Sequence, residues 1–210
     1  MNIVCFGDSI TQAYNFAEVD RWPTILQFKL EALRPGFFKV FNRGVGGNTT
    51  PQALRRIKDD VIPFLPAIVL VEFGINDRGC KDWIGDYWVD LNAFKRDLKV
   101  IHDIIKRGKG ECVFFVNHPL TTEPAYPIAE DLSLRGEEMP YDTAIREMAR
   151  NLNAPLIDLP KLLRARKVTV RQLLSEDGCH LCAEGNHHYA NAVYDGLQSV
   201  LAPLVRTMPK

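Results

Sequence analysis

Four short runs of β-branched and aromatic residues are apolar almost without interruption: Ile3-Val4-Cys5-Phe6, Phe37 to Phe41, Ile68 to Phe73 and Cys112 to Val116. A strand with one face in water alternates apolar and polar residues, whereas a strand covered on both faces has no need to. The runs therefore predict parallel strands enclosed between helices. Pro155-Leu156-Ile157-Asp158-Leu159 reads as a fifth strand with a weaker pattern.

The segments between the runs carry helical spacing. Trp22, Ile25, Leu26, Leu30 and Leu33 recur at three- and four-residue intervals before Pro35-Gly36. Ala53, Leu54, Ile57 and Val61 repeat the pattern, with Thr50 expected as cap and Pro51 in the first turn. Leu91, Phe94, Leu98, Ile101 and Ile105 predict a longer helix that ends at Gly108, and Tyr141 to Leu152 and Ala190 to Leu204 supply two more. Strands that alternate with helices give an α/β fold with a mostly parallel sheet. The chain of 210 residues shows no internal repeat or linker, so one domain over 1–210 is expected. The stretch from Asn117 to Pro140, with four prolines, reads as a long loop that shapes access to a site.

Lys and Arg together number 26, as do Asp and Glu, so no overall field draws the chain to nucleic acid or an anionic membrane. The apolar runs are too short to span a bilayer, and the N-terminus lacks the marks of a secretory signal. A cytoplasmic protein that acts on a small, uncharged or mixed-polarity molecule is the expectation. Five cysteines without framework spacing suit free thiols rather than disulfides.

In open α/β sheets ligands bind outside the carboxyl ends of the strands. Gly7-Asp8-Ser9-Ile10-Thr11 follows the first run, Gly44-Val45-Gly46-Gly47-Asn48-Thr49 the second, and Gly74-Ile75-Asn76-Asp77 the third, while Asp177-Gly178-Cys179-His180 precedes the last helix. Each block holds a residue type that acyl transfer needs. A serine hydroxyl such as that of Ser9 requires a base, and His180 is a histidine whose ordinary pKa suits that task. Asp177, three residues earlier, is placed to fix its tautomer. The Ser9 and Gly47 amides and the Asn76 side chain are candidate donors to an oxyanion.

These four ordered blocks resemble those of the SGNH/GDSL hydrolase superfamily and span nearly the whole chain. The resemblance implies a three-layer α/β/α sandwich with a flavodoxin-like five-stranded parallel sheet in the order 2-1-3-4-5. It also implies a carboxylic ester hydrolase acting on short-chain acyl or acetyl esters of small molecules or carbohydrates. Ser9, Asp177 and His180 would be catalytic, and Ser9, Gly47 and Asn76 would form the oxyanion hole, without metal or cofactor. Ile10 stands where the name-giving motif has leucine, and Arg78 stands where many relatives are apolar.

Asp8, Asn48, Arg78 and His118 are expected along the substrate pocket, Asp8 chiefly as a tether of its loop and His118 either as a pocket residue or as a loop histidine bonded to backbone. Asp77 is expected to hold its own turn. Trp83, Tyr87 and Trp88 line a subsite or pack a helix start. Gly44-Val45-Gly46-Gly47 lacks the third glycine of a dinucleotide fingerprint, since Thr49 stands there. Cys179, Cys182, His187 and His188 do not reproduce zinc-ligand spacing; the cysteines read as buried small residues and the histidines as the first turn of the last helix. Two other classes share these features. A transferase would pass the acyl group to an alcohol, and a non-catalytic binding domain would use the same fold.

Overall fold

The computed structural model describes residues 1–81, 86–120 and 139–206. In chain order the strands are β1 (Asn2–Gly7), β2 (Lys39–Gly44), β3 (Ala67–Glu72), β4 (Cys80–Lys81), β5 (Asp86–Tyr87), β6 (Glu111–Val116) and β7 (Leu156–Asp158). Five of them form one parallel sheet in the order β2-β1-β3-β6-β7, and β4 and β5 make a separate antiparallel pair. Counted within the large sheet alone, this is the order 2-1-3-4-5. The helices are α1 (Ser9–Gln12), α2 (Trp22–Leu33), α3 (Thr50–Asp60), α4 (Leu91–Arg107), α5 (Pro140–Asn151), α6 (Leu159–Ala165), α7 (Val170–Leu173), α8 (Ala183–Gly196) and α9 (Gln198–Arg206).

Successive side chains of a strand point to opposite faces, and the buried runs feed two cores accordingly. Ile3, Cys5, Ile68, Leu70, Val113 and Phe115 pack with Trp22, Leu26 and Leu30 of α2 and with Tyr189 and Val193 of α8. Val4, Phe6, Val69, Val71, Phe114 and Val116 pack with Ala53 and Ile57 of α3, Phe94 and Leu98 of α4 and Ile145 of α5. Burial of each such large side chain contributes about 1.5–3 kcal/mol. The two cores give the three-layer α/β/α architecture.

Several boundaries differ from the sequence reading. β2 begins at Lys39 rather than Phe37 and runs on through Asn42-Arg43-Gly44. It is an edge strand and only partly buried, so its polar residues stay in the ladder, paired from Asn2↔Lys39 to Gly7↔Gly44. Thr49, not Thr50, caps α3. The helix expected over Ala190–Leu204 starts at Ala183 and is interrupted at Leu197, which separates α8 from α9. His187 and His188 thus lie in the second turn of α8. The short helices α6 and α7 escape a periodicity reading, although Thr169 and Gln172 form a legible capping box for α7. Most of the expected loop between Asn117 and Pro140 lies outside the described residues.

Candidate active site

β1 delivers its last residue, Gly7, against Thr11 and Glu72. A Cβ on Gly7 would lie 2.2 Å from Thr11 Oγ1 and 2.8 Å from Glu72 Oε2, so only glycine lets the chain turn into α1 here. Asp8 caps α1, its Oδ1 accepting the Ile10 N–H at 2.9 Å. Ser9 is thereby the first helical residue.

The Ser9 Oγ lies 2.9 Å from His180 Nε2, and His180 Nδ1 lies 2.6 Å from Asp177 Oδ2. With Nδ1–H donating to Asp177, Nε2 is left to accept from the Ser9 hydroxyl. Asp177 Oδ1 accepts from the Cys179 and His180 amides, each at 2.9 Å, and from Ser175 Oγ at 2.8 Å. Partial burial alone would raise the Asp177 carboxyl, but the donors outweigh it and bring its pKa down to about 2. Ser175 closes the turn as well, its N–H donating to the His180 carbonyl at 2.8 Å. Its role depends on contacts inside the folded turn, and the sequence reading passed over it.

Gly47 follows β2 with φ at 73°, a left-handed conformation that favours glycine, and a Cβ there would meet nothing within 4 Å. Its loop is held down where the Gly46 N–H donates to Gln12 Oε1 at 2.9 Å. Asn76 Nδ2 donates to Asp8 Oδ2 at 3.0 Å and to the Asn48 carbonyl at 3.2 Å. The loops after β1, β2 and β3 are therefore tied together at one edge of the sheet. Asp77 reaches beyond its own turn to α3, its Oδ1 accepting the Thr50 N–H at 2.8 Å and the Thr50 hydroxyl at 2.6 Å.

Beneath Ser9 lie two sealed carboxyl groups, Asp8 and Glu72. Burial pushes Glu72 well above the carboxylate range, and the charge of Asp8 pushes it further, so Glu72 keeps its proton; burial raises Asp8 too. Glu72 Oε2 accepts the Thr11 hydroxyl at 2.9 Å. Glu72 was not legible as Asp8's neighbour, because it looks like the polar end of an apolar strand.

Among the described residues the cleft beside Ser9 and His180 is walled by Ile10, Ala13, Tyr14, Asn15, Phe16, Leu181 and Asn186, and its free volume is about 20 Å³. None of the four residues expected along the substrate pocket lines this cleft. Asp8, Arg78 and His118 are sealed in the interior, and Asn48 is half-buried outside the cleft. Arg78 is buried 3.7 Å from Asp142. His118 is the backbone-bonded loop histidine of the two readings: burial lowers its pKa to about 4, so the ring is neutral and Nε2–H donates to the Cys179 carbonyl at 2.8 Å. It braces the loop that carries His180. Trp88 is exposed, whereas Trp83 and the Tyr87 side chain lie outside the described residues.

Cys179 is buried, and burial pushes its thiol up to about 12. Cys182 is not the buried apolar residue expected; it is half-exposed, and its Sγ caps α8 by accepting the Gly185 N–H at 3.2 Å. Among the described residues no group of three or more His, Cys, Asp or Glu side chains is placed to hold a metal ion. None of the described helices is long and apolar enough to cross a membrane.

A model of the GDSL-like lipase/acylhydrolase family matches residues 5–188. The chain is 26% identical over 222 residues to the uncharacterized lipoprotein YqeF of Bacillus subtilis (strain 168), a match that covers 94% of this chain and 88% of the relative. Among solved structures, a lipase/acylhydrolase from Enterococcus faecalis superposes with a TM-score of 0.76 at 22% identity, covering 95% of this chain and 96% of the other. The acetylxylan esterase Axe2 from Geobacillus stearothermophilus gives 0.75 at 19% identity, covering 93% of each chain. At these identities the likeness to the solved structures is one of fold.

Proposed function

Because the chain belongs to the GDSL-like lipase/acylhydrolase family and is a carboxylic ester hydrolase, we propose that it works by two-step acyl transfer through Ser9, His180 and Asp177. The observation that carries this reading is the continuous relay from Asp177 to Ser9, at 2.6 Å and 2.9 Å. Ser9 Oγ attacks the ester carbonyl carbon as His180 Nε2 takes its proton. The carbonyl electron pair moves to oxygen, and the oxyanion is held by the Ser9 and Gly47 amides and the Asn76 side chain. Asn76 exchanges its longer bond, to the Asn48 carbonyl at 3.2 Å, for the oxyanion while it keeps Asp8. Each such donor contributes about 3 kcal/mol to the transition state. When the tetrahedral centre collapses, the bond to the alcohol oxygen breaks and His180 returns the proton to that oxygen. Water, activated by the same Nε2, then releases the acid from Ser9. Asp177, held ionised far below neutral pH, stabilises the imidazolium in both steps.

The substrate class proposed is short-chain esters, acetyl above all, of small molecules or carbohydrates. What supports a small acyl group is the narrow cleft beside Ser9 among the described residues, and the acetylxylan esterase that shares the fold acts, by its name, on acetyl esters. The test is hydrolysis of 4-nitrophenyl acetate and its longer-chain homologues. Ser9→Ala and His180→Ala should each lower kcat/KM by at least about a thousandfold, with the circular dichroism spectrum unchanged. The acetyl ester should outrun the octanoyl ester. Turnover near wild type in either variant would overturn the mechanism, and preference for octanoyl would overturn the substrate class.

A further inference from the structure

Arg56 sits on α3, outside the segments that carry Ser9, Asn76 and His180, yet its guanidinium joins three parts of the site's frame. Nη2 donates to the Gly7 carbonyl at 2.7 Å, at the end of β1 immediately before Asp8-Ser9. Nη1 donates to the Arg43 carbonyl at 2.9 Å, at the end of β2. Nε donates to Asn48 Oδ1 at 2.7 Å, one residue beyond Gly47. The Asn48 carbonyl in turn accepts the Asn76 amide. The guanidinium stacks 4.5 Å from the Phe6 ring centroid, which fixes its plane. Asp60 meets Nη1 at 2.8 Å, and the Arg56 side chain is 16% exposed.

We propose that Arg56 is a positioning residue for the ester hydrolysis: its flat fork holds the Gly47-Asn48 loop in register with the end of β1, so that the Gly47 N–H and the Asn76 amide converge on one oxygen. The proposal rests on the oxyanion-hole reading above. Three carbonyl acceptors in different segments and directions require a planar group with several donors; a lysine ammonium on the same stem has neither the width nor the fixed geometry. The oxyanion carries its full charge only in the transition state. Loosening of the loop therefore slows the chemical step and leaves ground-state binding almost unchanged. The Asp60 contact is a partly buried i,i+4 pair within α3 that meets Nη1 alone and touches neither the Gly7 carbonyl nor Asn48.

The experiment compares Arg56→Lys, Arg56→Met, Asp60→Asn and Ser9→Ala with the wild type on 4-nitrophenyl acetate, alongside thermal unfolding. Both Arg56 variants should lose about ten- to a hundredfold in kcat with KM within about threefold. Asp60→Asn should lose less than either Arg56 variant, because its amide oxygen can still accept from Nη1 and the bonds to Gly7 and Asn48 remain. In a further variant, Arg56→Ala, which leaves space for it, methylguanidinium added at concentrations too low to denature should restore part of the lost kcat. Asn48→Ala combined with Arg56→Met should be no slower than the slower single variant, because the two residues act as one unit. Wild-type kcat in Arg56→Lys, or a rise confined to KM, overturns the proposal. If Arg56→Met does not fold, Arg56→Lys and the methylguanidinium rescue still decide it. Turnover by Ser9→Ala would instead overturn the reading of the site, whereas an inactive Ser9→Ala beside an unimpaired Arg56→Lys would overturn the role of Arg56 alone.

Discussion

Asp77 is sealed from water, and its Oδ1 accepts from the Thr50 N–H and hydroxyl. Burial pushes its pKa up to about 6 against the pull of those donors. The folded chain therefore binds this proton more tightly than the unfolded chain, whose carboxylates titrate near about 4. The sign follows from linkage: stability rises as pH falls from about 6 towards 4. The raised Asp8 and Glu72 act in the same direction. Asp177 acts in the opposite one; its contribution is complete above the unfolded value near about 4, and it is lost as pH falls towards the folded value of about 2. His118, whose buried ring has its pKa lowered to about 4, also acts in the opposite direction, because the unfolded histidine takes up a proton from about pH 6.5 downwards. Thermal unfolding from pH 7 to 4 should therefore shift Tm more favourably towards acid pH in the wild type than in Asp77→Asn. Identical profiles in the two proteins would contradict this assignment. At this scale the sequence named the groups proposed to react, because Ser9, Asn76 and His180 belong to ordered blocks. It did not name Glu72, Ser175 or Arg56. Each of those acts through a partner on another segment or inside a folded turn, and no spacing along the chain records such a meeting.

Elements show the same division between local and distant causes. α2 and α4 were legible because their apolar spacing and their stops, Pro35-Gly36 and Gly108, are local signals. The start of α3 was misread by one residue, since adjacent threonines look alike in sequence. Their neighbours separate them: the Thr49 hydroxyl and N–H both donate to Gln52 Oε1, at 3.0 Å and 2.8 Å, whereas the Thr50 hydroxyl crosses to Asp77. Thr49→Ala should cost about 1 kcal/mol in urea unfolding, as a cap does. Thr50→Ala should cost more, about 1–3 kcal/mol, because it strips a donor from a buried carboxyl group. A silent Thr50→Ala would show that the contact with Asp77 contributes nothing. α8 was cut short in the sequence reading for a related reason. Its first turns carry Asn186, whose Oδ1 accepts the Trp22 N–H at 3.0 Å at the start of α2, so a polar residue there is fully buried. A hydrophobic pattern has no way to mark it.

The whole molecule brings these parts to one place through topology. The chain leaves β1 for β2 on one side and returns to β3 on the other, so the loops after all three strands open on the same edge at the point where the order reverses. Ser9, Gly47 and Asn76 stand on those loops, and His180 arrives from the turn before α8. The strands were legible because buried parallel strands leave continuous apolar runs, whereas the sheet order and the layers followed from the resemblance that the four ordered blocks carry. The cleft walls were not legible, because Ala13 to Phe16 carry no periodicity and take their place only after Ala13 adopts its left-handed turn at the end of α1. The account's central claim is that Ser9 is the nucleophile activated by His180. Its most direct test is to treat the protein with a fluorophosphonate and locate the adduct by peptide mass spectrometry. The account predicts a single adduct on Ser9, absent in Ser9→Ala and formed much more slowly in His180→Ala. An adduct on another residue, or labelling of Ser9 at the same rate without His180, would contradict it.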